Sequence, residues 1–110
     1  MEYRIEYYSA DVEAEILNLP DTLAARYIFL TRRMTVIGAN PGAPHTDSFG
    51  DGLFELRLKG ADGIARVFFC TLVGRRIMML HSFIKKTQKT PPREIEIARK
   101  RMKEIKHGNS

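Results

Sequence analysis

Apolar and charged residues alternate at the start of the chain, with Tyr3 and Ile5 set against Arg4 and Glu6. A period of two is the signature of a half-buried strand, so residues 3–8 are predicted as β. The period then lengthens. Val12, Ile16, Leu17 and Leu19 follow Ser9 and Asp11, either of which can cap a helix. Pro20 ends that helix or opens the next. From Asp21 onward, Leu23, Ala24, Tyr27, Ile28, Met34 and Ile37 recur at spacings near three and four. This predicts a second, longer helix stopped by Gly38.

Residues 39–52 are rich in Gly, Pro, Asp and Ser and are predicted as a loop. Its length gives it a job or a neighbour to rest on. Alternation returns at residues 53–58: Leu53, Glu55 and Arg57 point one way, and Phe54, Leu56 and Leu58 the other. A turn at residues 60–63 leads into the most apolar segment, residues 64–72, which is predicted as the central strand. Gly74 and Arg75 make a second turn, and residues 77–83 a further strand. Thr90, Pro91 and Glu94 carry the marks of a helix start. Ile95, Ala98, Met102 and Ile105 then form a narrow apolar stripe before Gly108.

The predicted order is β-α-α-β-β-β-α. Consecutive strands joined by short turns, with helices laid on them, define an α+β fold. The 110 residues predict a single domain, 1–110. No run is long and apolar enough for a membrane span, and residues 1–8 carry no signal-peptide core, so no membrane partner is expected. The lone Cys70 makes no internal disulfide and suits a reducing cytoplasm as a buried thiol.

Charge is unevenly distributed. Residues 1–52 hold four Lys/Arg against eight Asp/Glu, and residues 53–110 hold fourteen against five. That asymmetry points to a polyanion or an acidic partner for the second half. Three segments in this half stand out: LFELR at 53–57, ARVFF at 65–69 and MLHSFIKKTQKTPP at 79–92. Together they resemble the HigB-like, phage-related branch of the RelE/ParE toxin superfamily, and Glu94, Ile95 and Ala98 continue the likeness.

The resemblance implies a twisted, mainly antiparallel sheet carrying two N-terminal helices and a C-terminal helix (RelE-like). It implies a type II toxin: a ribosome-dependent mRNA endoribonuclease, metal-independent and without cofactor, that arrests translation. A cognate antitoxin, often a helix-turn-helix protein, would neutralise it. Because antitoxins in such families can bind away from the active site, the helices within residues 12–37, with Arg32 and Arg33, are an expected docking surface. The ParE branch shares the fold but inhibits DNA gyrase without cutting RNA, and fold alone does not choose. An inactive basic binding module is a third reading of the charge.

RNA carries its own nucleophile, the 2′-OH. An enzyme need only help that hydroxyl lose a proton, neutralise the phosphorane and protonate the leaving oxygen. Arg57, Lys59 and Arg66 are the expected phosphate and transition-state contacts. His81 is the expected acid–base group, assisted by Lys85 and Lys86. Arg75, Arg76, Lys89 and Phe83 are expected to bind RNA, Phe83 by stacking unless it belongs to the core. An ion pair from Arg57 to Glu55 or to a helix carboxylate, and a merely structural, hydrogen-bonded His81, are the competing roles. No metal-ligand spacing, P-loop or nucleophile elbow is present in the sequence.

Overall fold

A computed structural model describes residues 2–38, 46–86 and 89–108. Its elements run β1 (Arg4–Tyr7), α1 (Ala10–Leu17), α2 (Asp21–Ile37), β2 (Thr46–Ser48), β3 (Phe54–Gly60), β4 (Gly63–Leu72), β5 (Arg76–Ile84) and α3 (Pro92–Gly108). The strands form one sheet in the order β1-β5-β4-β3-β2. Every pairing is antiparallel except β1 with β5. The α+β class, the helix positions and the central place of β4 are as the sequence predicts.

The predicted loop holds one element that the pattern did not show. Thr46–Ser48 pairs with β3 as an edge strand. Three polar residues are too few to display alternation, so tertiary pairing creates this strand rather than local preference. Residues 39–45, including His45, lie outside the described residues, as do Thr87 and Gln88 of the 79–92 segment.

Sheet alternation sorts the core into two layers. On one face Leu56, Leu58, Ala65, Val67, Phe69, Ile77 and Met79 meet Val12 and Ile16 of α1 and Leu23, Tyr27, Leu30 and Met34 of α2. On the other face Leu53, Phe68, Cys70, Met78 and Leu80 meet Ala98 and Met102 of α3. Ser9 caps α1, its hydroxyl accepting from the Val12 amide at 3.2 Å. α2 has no cap of its own at Pro20. Instead Asp62, at the β3–β4 turn, accepts from the amide and hydroxyl of Thr22 at 3.0 and 2.7 Å.

Gly60 makes that approach possible, because a Cβ there would stand 2.7 Å from the Thr22 hydroxyl. The β4–β5 turn places Gly74 and Arg75 at φ 88° and 57°. Glycine adopts that region freely, whereas Arg75 does so against its preference.

Two positions of the apolar pattern that predicts α2, Ile28 and Ile37, are exposed. The buried stripe is Leu23, Tyr27, Leu30, Thr31 and Met34. The helix is apolar on two faces, and periodicity alone does not separate them.

β5 holds one residue more than its ladder with β4 uses. Phe68 pairs with His81 and Phe69 with Met79, so Leu80 is bulged. A bulge lets adjacent residues share a face. Leu80 therefore enters the α3-side core while His81 stacks on Phe68 on that same face.

Candidate functional site

The cationic groups predicted on β3, β4 and β5 meet at one end of the α3-side face. Arg57 and Arg66 are direct cross-strand partners, and Arg66 is in turn opposite Phe83 on β5. Lys85 follows β5 immediately, its amide donating to the Ile64 carbonyl at 2.8 Å. Charge of one sign on neighbouring strands is unfavourable unless something balances it.

The balance comes from Glu55. Its Oε1 lies 2.9 Å from Arg66 Nε, with only 2% of the Glu55 side chain and 10% of the Arg66 side chain exposed. Its Oε2 accepts from the Thr90 hydroxyl at 2.8 Å. Glu55 thus goes to Arg66 rather than to Arg57, for which it was one of the competing partners. Arg57 reaches across to Asp47 on β2 at 2.7 Å, in a solvent-exposed contact. Thr90 likewise spends its hydroxyl on Glu55. Burial pulls the Arg66 pKa down and Arg57 adds to that, while Glu55 opposes both. A guanidinium stays charged under such a shift.

Lys85 senses the same cluster. Partial desolvation, then the charge of Arg66 and more weakly that of Arg57, holds its ammonium below the ordinary lysine range against the pull of Glu55. Lys59 lies two residues beyond Arg57 on the same face, paired with Ile64 and exposed. Lys86 and Lys89 are exposed as well.

His81 is held rather than displayed. Its Nε2 is 2.6 Å from Glu94 Oε1 on the first turn of α3. Its Nδ1 is buried without a hydrogen-bond partner. The ring stacks nearly parallel to Phe68 at 6.3 Å and lies 6.4 Å from Phe83. The contact with Glu94 ties β5 to α3, the arrangement that the structural reading of His81 expects. Arg101 of α3 supplies a second tie, donating to the carbonyl of the bulged Leu80 at 2.9 Å. Phe83 is half-buried, with its ring 6.0 Å from Phe68.

Arg75 and Arg76 are not brought to this cluster. They lie at the opposite end of β5, where Arg76 donates to Glu6 at 2.9 Å and the Arg75 guanidinium sits over the Tyr3 ring. From Arg66 to Leu72, the partner of Arg76, is about 20 Å of strand.

Sequence reasoning missed the second carboxylate partners. Strand alternation puts Glu55 on the face of Arg57, but which arginine it pairs with depends on register. The helix dipole accounts for Glu94 in the sequence, and only tertiary packing gives it His81. Among the described residues, no three His, Cys, Asp or Glu side chains gather as a metal-ligand set. Nor is any helix there long and apolar enough to cross a membrane.

Fold and site together define a small basic α+β protein with an arginine–lysine cluster on one face of its sheet. Residues 14–103 match the family model described as phage-derived protein Gp49-like (DUF891). The chain belongs to that family, a RelE-like, phage-derived toxin family. No curated protein matches the chain.

Proposed function

We propose that the chain is an endoribonuclease toxin that cuts mRNA on the ribosome and is neutralised by a cognate antitoxin. The observation that carries this reading is the convergence of Arg57, Arg66 and Lys85 beside the Phe83 ring, with Arg66 fixed by the buried Glu55. Family membership supports the toxin class, and RelE-like toxins are often endoribonucleases.

In this reading the 2′-OH attacks the adjacent phosphorus and the 5′-oxygen leaves. The products are a 2′,3′-cyclic phosphate and a 5′-hydroxyl. Arg57 and Arg66 neutralise the charge that develops on the phosphorane, which such preorganised donors stabilise better than water does. Lys85 protonates the departing 5′-oxygen, a role suited to an ammonium of lowered pKa. The 2′-OH proton passes to solvent or to a group supplied by the ribosome. Phe83 offers a face for a base, and Lys59, Lys86 and Lys89 extend the basic track for the backbone.

The test is cleavage of an mRNA on purified translating ribosomes, with mapping of product ends. Arg57→Ala and Lys85→Ala should each slow cleavage about 100-fold, the scale for removing one charge-stabilising donor. Arg75→Gln should leave the rate unchanged. Translation arrest with intact mRNA would overturn the reading; gyrase inhibition would then favour the ParE-like alternative. Salt-sensitive RNA binding with neither effect would favour a binding module.

A further inference from the structure

The far half of α3 closes a cleft that the arginine–lysine cluster does not use. Asp51, from the loop before β3, lines it together with Arg99, Met102, Lys103, Lys106 and His107 of α3. Its volume is about 360 Å³, within the range of small-ligand sites. Lys106 stands twelve residues beyond Glu94, about 18 Å along the helix, so the cleft is separate from the cluster.

Arg99, Lys103 and Lys106 recur at i, i+4 and i+7, on one face of the helix. Like charges at that spacing destabilise a helix. Asp51 offsets Arg99 at 3.4 Å in an exposed contact. Lys103 has no carboxylate three or four residues away on either side. Among the described residues, no ion pair or hydrogen bond engages Lys103 or Lys106. The helix dipole favours cations in the last turn, which accounts for Lys106 and His107 but not for Arg99 or Lys103.

The opposite wall is strained. Gly50, Asp51 and Gly52 stand in succession at φ 84°, 56° and 87°, a region that Asp51 adopts at a cost. Strain of this kind gathers at ligand clamps. Arg99 holds the wall, donating to the Phe49 carbonyl at 2.5 Å. The Lys106 ammonium is turned in toward it: a Cβ on Gly52 would stand 3.0 Å from Nζ. Its charge also reaches the buried Cys70 thiol, where it opposes the rise in pKa that burial causes.

We propose that this cleft is a binding site for a phosphate-bearing ligand of about mononucleotide size. Lys103 and Lys106 supply point charges, Arg99 a planar fork and Met102 an apolar floor. A bound phosphate relieves the repulsion along α3. The cleft has room for one nucleotide, either free or part of an RNA strand. The proposal rests on no part of the cleavage reading.

The experiment titrates the full chain, methyl-labelled at methionine, with pyrophosphate, ADP and hexauridylate lacking terminal phosphates. Calorimetry gives the affinities, and the Met102 methyl resonance reports binding in the cleft. That resonance should shift with pyrophosphate and with ADP. Lys103→Gln combined with Lys106→Gln should weaken binding about tenfold or more. The same variant should keep or raise the urea midpoint of the free protein, because it removes like charges from one face. Arg57→Ala should leave binding in the cleft unchanged. ADP binding more tightly than hexauridylate assigns the site to a free nucleotide, and the reverse order assigns it to an RNA strand; either upholds the site. A Met102 resonance unmoved by excess ligand, or binding that survives the double lysine change, would overturn the proposal. So would binding lost in Arg57→Ala, or a lowered urea midpoint in the lysine variant. mRNA cleavage by the wild-type chain is scored separately, and its presence or absence bears only on the function proposed above.

Discussion

At the scale of single residues, Glu55 decides how Arg66 is presented. A buried ion pair is weak support for stability, but losing one partner leaves the other charged and unsolvated. Glu55→Leu should therefore destabilise the fold by about 3 kcal/mol. Adding Arg66→Met should restore most of that loss, since the double variant holds no orphaned charge. Urea denaturation of the two variants checks this, and additive losses would refute the coupling. Lys85 gives a prediction in pH. Acting as an acid, it must keep its proton, so cleavage should fall as pH rises through a value below the ordinary lysine range. Lys85→Arg should remove that alkaline limb even if the rate drops. An unchanged limb would assign it to another group. Arg57, Arg66 and Lys85 were legible as candidates because strand alternation and charge are written locally. The partner of His81 was not, because Glu94 lies thirteen residues away on another element.

At the scale of elements, the β3–β4 turn and the start of α2 act as one joint. Gly60→Ala would drive a methyl into Thr22 and disturb the Asp62 contact, a clash expected to cost about 2 kcal/mol. A fall in thermal midpoint checks it. The Thr22 hydroxyl and amide hold the Asp62 carboxyl below its ordinary range. Its folded pKa is thus depressed, so its contribution to stability is present above about pH 4 and lost as pH falls toward the folded value. Wild type should exceed Asp62→Ala in denaturation midpoint at pH 7, and the two should converge at acid pH. The elements themselves were largely legible: α1, α2, β3, β4 and β5 follow from period and turn chemistry. β2 was hidden because three polar residues become a strand only by pairing with β3. The open stripe of α2 was hidden because its period matches that of the buried one.

At the scale of the molecule, one sheet separates two chemistries. The α3-side face carries the cationic cluster, and the other carries the α1–α2 layer. If polyanion binding belongs to the first face, RNA affinity should fall steeply with salt, and Arg57→Ala should reduce the log–log slope by about one. Arg76→Gln, at the far end of β5 and held by Glu6, should leave the slope as it is. Equal effects would spread the binding surface over the whole sheet. The net charge of the second half was visible in composition, but which end of the sheet gathers it required the register.

The bulge at Leu80 has a consequence for the length of β5. Because Met79 and His81 already pair with consecutive residues of β4, Leu80 is surplus to the ladder. Deleting it would leave the residues on both sides facing as they do now, at the cost of one buried leucine and the Arg101 contact. Deleting Ser82 instead would carry Phe83 one step along the ladder and away from Arg66. Deleting His81 would likewise leave Leu80 opposite Phe68, so β5 keeps its register when shortened at either residue of the bulge and not beyond them, which predicts where a deletion scan finds its gap.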